Sequence, residues 1–326
     1  MSAPPTRGLP SSERELAAAP ATAELMARIR AADPCASHDR VFAQRFGRVV
    51  DGNLFTGLAG CAIVAESVDE PGIAYVFDFE LAHRYLVEDR ADDTAEEVAG
   101  KQVFQSSTYR DLGDGYTCAY YLPVGLTGLA HMVRGKRTRS AGQSAHWPQR
   151  CEATRDYLAA VADSLLALPP ITNPSSPDRK TLTHKSPCAA TAQIEAQFPG
   201  WTVESTAWAG VYSCSLTLSK TGNRYRITVA VGYRRDNEQA AIGPAARVIS
   251  REGLNGVEFG GDSDARCAEV VAYRPADPAR ANNAHLINVD VSAAPRDSPV
   301  ATAADLPVDL CESAAATIGV VIRAAR

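Results

Sequence analysis

Eight cysteines arranged as two similar sets of four constrain this chain more than any other feature of its sequence. They are Cys35, Cys61, Cys118, Cys151, Cys188, Cys214, Cys267 and Cys311. Each member of the second set follows its counterpart by 153, 153, 149 and 160 residues in turn, an almost constant offset that indicates a duplicated unit. The flanking residues agree, because Asp33-Pro34-Cys35-Ala36 recurs as Ser186-Pro187-Cys188-Ala189. The 326 residues are therefore expected to form two similar domains.

A proline-rich segment separates the two units. Residues 169–186 read PPITNPSSPDRKTLTHKS, with four prolines and several small polar residues that sustain neither a helix nor a strand. We interpret this segment as a linker between a first four-cysteine α+β repeat at 33–168 and a second at 187–326. A partly helical lead-in is predicted at 1–32. Each unit is expected to fold by itself, with proteolysis starting near residues 175–183.

The cysteines are predicted to form disulfides. Structural zinc sites normally use ligand pairs two to four residues apart, and the sequence contains no CxxC or HxxxH. Free thiols in a cytosolic protein are the other alternative, but disulfides explain better why all four positions recur in both units. We therefore expect an extracytoplasmic protein. The N-terminal sequence MSAPPTRGLPSSERE lacks the pattern of a signal peptide. The protein is therefore expected to be secreted or membrane-anchored through a segment absent from this chain.

Four cysteines in one unit allow three pairings, and the sequence alone does not choose among them. The spacing of 26 residues between the first two cysteines, equal in both units, favours a local bridge between them. The spacings of the last two, 33 and 44 residues, differ as expected where a surface loop changes length. The pairs predicted in this way are Cys35–Cys61, Cys118–Cys151, Cys188–Cys214 and Cys267–Cys311.

The residue patterns predict an α+β fold with two similar domains. Each is expected to be a mainly antiparallel sheet covered by an N-terminal short helix and a C-terminal helix, with two disulfides per domain. Apolar residues alternate at 73–81 and 225–233, the period of strands with one buried face, and further strands are predicted at 116–124, 266–274 and 285–291. Alanine-rich helical stretches after Cys151 and Cys311 can cover the apolar faces.

Charge and hydropathy exclude two classes of partner. The net charge of −5 provides no general basic surface for nucleic-acid phosphates, so no nucleic acid is expected to bind. The longest apolar stretches, such as 318–322, are far shorter than the roughly 18 to 20 residues that cross a bilayer, so no transmembrane segment is expected. No cofactor and no metal site are predicted.

The opening residues resemble a known family. The DPCA sequence, the stretch Ala43-Gln44-Arg45-Phe46-Gly47 at the end of a short helix, and a following Gly-Asn before a strand cysteine resemble the tandem four-cysteine extracytoplasmic proteins of actinobacteria. These proteins are related to DPC-opening lipoproteins of unknown function. The resemblance covers residues 31–326 and rests on structural cysteines and turns. It implies secretion, two disulfides per domain and no established catalysis.

A concentrated basic segment is the candidate binding site. It contains Arg134, Lys136, Arg137 and Arg139, and we interpret it as a loop that could hold an anionic wall polymer or the carboxylates of a partner. The acidic clusters 88–93 and 96–97 lack EF-hand spacing and are predicted to form a solvated face.

Other chemistry-bearing residues are assigned structural roles. Ser144 lies in a partial GxSxG motif and Ser263 in a GDS sequence, but both are interpreted as loop residues because flanking glycines or a partner histidine motif are missing. The six histidines show no metal-ligand spacing and are predicted to be exposed or hydrogen-bonded. Trp201 and Trp208 are expected to pack in the core beside Cys214.

These observations favour a non-enzymatic binding or sensory module of the cell envelope. A secreted hydrolase whose active-site residues are brought together by the fold is one alternative. A structural envelope protein that binds another protein is a second alternative.

Overall fold

The computed structural model describes residues 20–54, 57–86, 88–110, 117–124, 128–139, 145–170, 182–236, 246–260, 265–274, 284–295, 306 and 308–326. These residues form two compact units, one at 21–170 and the other at 182–326. Each unit is α+β, with a seven-stranded antiparallel sheet and two disulfides.

The first unit contains four helices and seven strands among the described residues. The helices are α1 (Pro20–Ala31), α2 (Arg40–Ala43), α3 (Ser107–Arg110) and α4 (Arg150–Ala167). The strands are β1 (Arg48–Leu54), β2 (Gly60–Glu66), β3 (Ile73–Arg84), β4 (Thr94–Val98), β5 (Lys101–Gln105), β6 (Cys118–Pro123) and β7 (Leu129–Arg139). Short 3₁₀ segments occupy Pro34–Ser37, Gln44–Phe46 and Glu88–Arg90.

The second unit contains two helices and seven strands among the described residues. The helices are α5 (Thr191–Glu195) and α6 (Leu310–Ala325), and a 3₁₀ segment lies at Pro187–Ala190. The strands are β8 (Thr202–Gly210), β9 (Ser213–Ser219), β10 (Tyr225–Asp236), β11 (Arg247–Arg251), β12 (Leu254–Phe259), β13 (Arg266–Arg274) and β14 (Ala284–Pro295).

The two sheets have the same strand order. The first is β1-β2-β3-β7-β6-β5-β4 and the second is β8-β9-β10-β14-β13-β12-β11. The predicted strands all lie in these sheets, because their alternating apolar residues bury one face. The strands that the sequence analysis missed include the edge pair β4 and β5 and the edge pair β11 and β12. Edge strands carry charged residues that hide the alternation, as in the sequences TAEEV and RVISR.

The disulfides join the predicted pairs of cysteines. Cys35 is bonded to Cys61 and Cys188 to Cys214, which ties each opening 3₁₀ segment to the second strand of its sheet. Cys118–Cys151 and Cys267–Cys311 fasten the sixth strand to the long C-terminal helix. No cysteine of the chain is free.

The helices match the prediction in part. The long helices α4 and α6 cover one face of their sheets, as predicted. Asp309 caps the start of α6, since its carboxylate accepts the Glu312 N–H at 2.9 Å. The short helices do not cover the sheets. Helix α2 contacts β1, β2 and α4, and α5 contacts α6, so both flank the long helix.

Two histidines pack in the core of the first unit, the partly buried His38 and the fully buried His131. The His38 ring stacks on Phe79 at 4.0 Å, its Nδ1 lies 2.8 Å from the Tyr157 hydroxyl, and its Nε2 lies 3.1 Å from the Cys61 carbonyl oxygen. Burial lowers the pKa of His38 to about 4, against the opposing effect of the Cys61 hydrogen bond. Burial likewise lowers the pKa of His131 to about 4. Both imidazoles are therefore neutral at neutral pH.

Candidate functional site

The four basic residues proposed for anion binding lie on strand β7 and not in a loop, which corrects the prediction. Successive side chains of a strand point to opposite faces of the sheet. Arg134 and Lys136 therefore share one face, and Arg137 and Arg139 share the other. The sequence reads as a charged loop because strand β7 becomes polar in its second half.

Two of these arginines have carboxylate partners within the chain. Arg134 forms a salt bridge with Asp78 of β3, directly opposite it in the sheet. Arg137 forms one with Glu70, which lies in the turn before β3. Because these pairs partly neutralise the charge and the four side chains divide between two faces, the described structure provides no single basic surface.

A cleft of about 580 Å³ opens in the first unit, on the face of the sheet opposite to α4. The covered face is marked by Gly135, where an added Cβ would lie 2.0 Å from Thr154 of α4. Side chains alternate along a strand, so Met132 of β7, three positions before Gly135, faces away from α4. Tyr121 of β6 pairs opposite Met132 and therefore lies on the same uncovered face. The volume lies in the range of about 300 to 1,000 Å³ that is typical of small-molecule sites.

Stacked rings form one wall of the cleft. The rings of Tyr85 and Tyr121 lie 4.1 Å apart and nearly parallel, and His83 stacks on the other side of Tyr121 at 5.7 Å. The Arg90 guanidinium lies over the Tyr85 ring at 5.1 Å and over Phe104 at 5.4 Å. Arg90 also donates to the Tyr85 carbonyl oxygen at 3.3 Å. The stack is therefore closed at one end by a cation of the chain itself.

Besides Arg84, the rest of the lining consists of acidic and hydroxyl side chains. They are Asp89, Asp92, Asp93, Ser106, Ser107 and Thr108. Asp89 and Asp92 are exposed, as predicted for a solvated face, and they also border the cleft. The side chains converge because the 3₁₀ segment after β3 and helix α3 after β5 lie at the same end of the sheet.

Asp93 and Asp89 hold the backbone of the cleft in place. Asp93 accepts the Tyr85 hydroxyl at 2.6 Å with one oxygen and the Ser107 N–H at 2.8 Å with the other. Asp89 accepts the Leu86 N–H at 2.7 Å. Burial, reinforced by Asp93, holds the pKa of Tyr85 well above its usual value, so its hydroxyl stays a donor.

A β-bulge places His83 in the cleft. The pairing of β3 with β7 shifts between Glu80 and His83, and Ala82 within the shift has a φ of 49°. The extra residue returns His83 to the face that Glu80 occupies, where regular alternation would have directed it to the α4 side. The Ala82 N–H donates to Nδ1 of the buried His131 at 3.2 Å, so His131 supports the bulge.

His83 is also oriented by a carboxylate. Its Nδ1 lies 3.1 Å from Oε1 of Glu80. Burial alone would raise the pKa of Glu80, but the hydrogen bond with His83 and the charges of His83 and Arg134 outweigh burial and lower it. Glu80 is thus ionised at neutral pH. This arrangement leaves Nε2 of His83 without a hydrogen-bond partner in the described part of the chain.

Ser106 contributes a hydroxyl group that the protein itself does not use. The residue is 3% exposed and lines the cleft. Its N–H donates to the Ala119 carbonyl oxygen at 3.0 Å, whereas its side chain has no hydrogen-bond partner among the described residues. The Ser106 Oγ keeps a little exposed surface at the cleft, so a ligand group can reach it and form a hydrogen bond.

The second unit shows that the fold does not require these residues. Tyr121 is three residues after the third cysteine of its unit, and Val270 is three residues after the corresponding Cys267. Phe104 pairs opposite Tyr121, whereas Val257 pairs opposite Val270. In the second unit this part of the sheet carries an aliphatic cluster of Val257, Val270, Ala284 and Leu286. The rings of the first unit are therefore specific to it.

The other residues named in the sequence analysis lie outside the cleft or outside the described residues. Ser144, Ser263 and the Trp208 side chain lie outside the described residues. Trp201 is buried, as predicted. His131 is fully buried and hydrogen-bonded, as predicted, because its Nδ1 accepts the Ala82 N–H, whereas its Nε2 has no partner in the structure as described.

A group with metal-ligand spacing occurs once in the described part of the chain. It consists of Glu258, Cys267 and Cys311. The sulfur atoms of the two cysteines form a disulfide and are not available as thiolates. The adjacent Glu269 is fully buried and accepts Arg251 Nε at 2.9 and 3.1 Å. Burial raises the pKa of Glu269 despite this partner. We interpret the cluster as part of the core.

No protein-family model matches this chain, and no curated protein is significantly similar to it in sequence. Within the described ranges, no helix combines the length and the apolar content needed to span a bilayer. The sequence signals that could have indicated the cleft are weak, because its residues are spread over 83–121 without a periodic motif.

Proposed function

We propose that this chain is an extracytoplasmic, non-enzymatic binding or sensory module of the cell envelope that binds a small polar ligand in the cleft of the first unit. Four disulfides are typical of proteins that fold in an oxidising compartment. The resemblance of the DPCA opening to four-cysteine envelope proteins of actinobacteria supports the same location. The protein is then secreted or held at the membrane through another segment.

The observation that carries this proposal is the contrast between the two units. Both sheets have the same strand order and the same disulfides, so the second unit shows which residues the fold needs. Aliphatic side chains such as Val257 and Val270 suffice there. The first unit instead has stacked rings, a bulge that presents His83, and an unpartnered hydroxyl on Ser106. A cleft where aromatic walls and a few polar groups converge is the usual place for a small ligand.

Filling the cleft should abolish ligand binding. Thr108 is exposed on α3 at the cleft, so Thr108→Trp adds a bulky side chain without disturbing the core. The full chain would be screened by thermal shift against a library of sugars, polyols, amines, amino acids and organic acids. A ligand at 100 times its Kd stabilises the wild type by about 2.7 kcal/mol, and Thr108→Trp should remove that stabilisation.

Ala160→Trp is the matched control, because Ala160 is exposed on α4, which covers the opposite face of the sheet. This variant should bind as the wild type does. If no compound of the library stabilises the wild type, or if Thr108→Trp binds as tightly as the control, the proposed function is wrong.

A hydrolase is the second candidate. The observation in its favour is that Glu80 orients His83, whose free Nε2 lines the same cleft as Ser106 and Ser107, the groups from which a serine active site is built. A fluorophosphonate probe should then label Ser106 or Ser107 in the wild type and fail to label the His83→Ala variant. Absence of labelling in the wild type would remove this candidate.

A further inference from the structure

The lining of the cleft restricts the chemistry of its ligand. Carboxylates accept hydrogen bonds and do not donate them when ionised, and the cleft presents Asp89, Asp92 and Asp93. The hydroxyls of Ser106, Ser107 and Thr108 can accept as well as donate. A complementary ligand must therefore carry several hydrogen-bond donors. Two classes of small molecule are rich in donors: organic cations with ammonium or guanidinium groups, and polyhydroxylated compounds.

The position of Arg90 favours the second class. An organic cation in an aromatic site gains affinity by lying over a ring face. One face of Tyr85 is covered by Tyr121 and the other by the Arg90 guanidinium, so both faces of this ring are occupied. Phe104 also lies beneath Arg90. The ring faces that a cationic ligand would use are thus occupied by side chains of the protein.

The charges around the cleft support this conclusion. Arg84 lines the cleft with the three aspartates, and the charge of Arg90 acts on Asp89, so the negative charge is partly offset. A neutral ligand can still form strong hydrogen bonds, because a bond to an ionised carboxylate is about twice as strong as one between neutral groups. Two adjacent hydroxyl groups of a ligand can each donate a hydrogen bond to one of the two oxygens of a carboxylate.

Ser106 provides the independent indication. Its hydroxyl is nearly buried at the cleft and has no partner among the described residues. A hydroxyl of the ligand can both donate to this group and accept from it, whereas an ammonium can only donate. Nε2 of His83, also without a described partner, offers a further site for a hydroxyl.

We propose that the cleft of the first unit binds a polyhydroxylated, neutral ligand, that is, a saccharide or sugar alcohol. This inference rests on the proposed function and assigns its ligand class. The carboxylates of Asp89, Asp92 and Asp93 accept hydroxyl groups of the ligand, and Ser106 binds one hydroxyl in the interior of the cleft.

The test is a binding measurement on the full chain with two sets of defined probes. One set is an array of several hundred oligosaccharides supplemented with myo-inositol and sorbitol, and the other consists of spermidine, choline and arginine. Array hits would be measured by isothermal titration calorimetry. We expect saturable binding of at least one saccharide or sugar alcohol and none of the three cations.

Two conservative variants locate the binding. Asp92 has no other partner among the described residues, so Asp92→Asn should leave the fold unchanged and weaken saccharide binding about tenfold. Ser106→Ala removes a hydroxyl that the free protein does not use, so it should weaken binding about fivefold without lowering the melting temperature. The matched controls are Asp69→Asn, in the exposed turn before β3, and Ser37→Ala, a serine that is likewise 3% exposed. Both controls should bind as the wild type does.

The outcomes separate this inference from the proposed function. If a cation binds, and Thr108→Trp abolishes that binding, the cleft is a ligand site but the assigned class is wrong. If a saccharide binds equally to the wild type, Asp92→Asn and Ser106→Ala, the site is elsewhere and the inference is wrong. If neither set of probes binds and the wider library gives no ligand, both proposals are overturned.

Discussion

Replacing Cys35 and Cys61 by alanine should lower the free energy of unfolding of the first unit by about 3.5 kcal/mol and leave the second unit unchanged. The disulfide closes a loop of 26 residues, and restricting such a loop in the unfolded chain stabilises the folded state by about this amount. Because Cys61 is fully buried, its replacement also leaves a small void that adds to the loss.

The chain contains its own control for this experiment. Cys188 and Cys214 close a loop of the same 26 residues in the second unit, so their replacement by alanine should cause a similar loss there and spare the first unit. Hydrogen exchange measured by mass spectrometry at increasing urea would assign each loss to peptides of one unit. An equal loss in both units from either double variant would contradict the independence of the two units.

Acidification from pH 6.5 to 4 should destabilise the first unit by several kcal/mol through two histidines. The unfolded chain protonates His38 and His131 near pH 6.5, whereas burial lowers the pKa of both to about 4 in the folded unit. Below pH 6.5 the unfolded state therefore binds protons that the folded state excludes. The free energy of unfolding falls until pH 4 and is unaffected by these groups above pH 7. Each histidine contributes on the order of 3 kcal/mol to this loss of unfolding free energy.

His131→Asn isolates one of these contributions. The side-chain oxygen of asparagine can occupy the position of Nδ1 and accept the Ala82 N–H, so the bulge before His83 keeps its partner. Urea unfolding at a series of pH values should show that the variant loses about 3 kcal/mol less than the wild type between pH 6.5 and 4. The carboxylates of the wild type and the variant are the same, so their contribution to the pH dependence cancels in the comparison. Identical pH profiles would show that His131 does not titrate in this range.

Local sequence signals favoured the correct disulfide pairing and predicted five of the fourteen described strands. The equal 26-residue spacings favoured the pairing of Cys35 with Cys61 and Cys188 with Cys214, because equal loop lengths in two units are expected where both ends are anchored in the same way. Alternation of apolar residues predicted β3, β6, β10, β13 and β14, because one face of each is buried. Strand β7 was misread where its basic residues begin, since the salt bridge from Arg134 to Asp78 of β3 replaces apolar contacts there.

The sequence by itself determined two four-cysteine α+β units and favoured the disulfide pairing that the structure confirms, because spacing and periodicity are properties of neighbouring residues. Only the tertiary structure decided where the cleft lies. Its residues come from the bulge at Ala82, the 3₁₀ segment after β3, helix α3 and strand β6, which the strand order brings to one face. The pairing of distant strands and the direction of His83 after the bulge depend on long-range packing, which has no period that a single sequence displays.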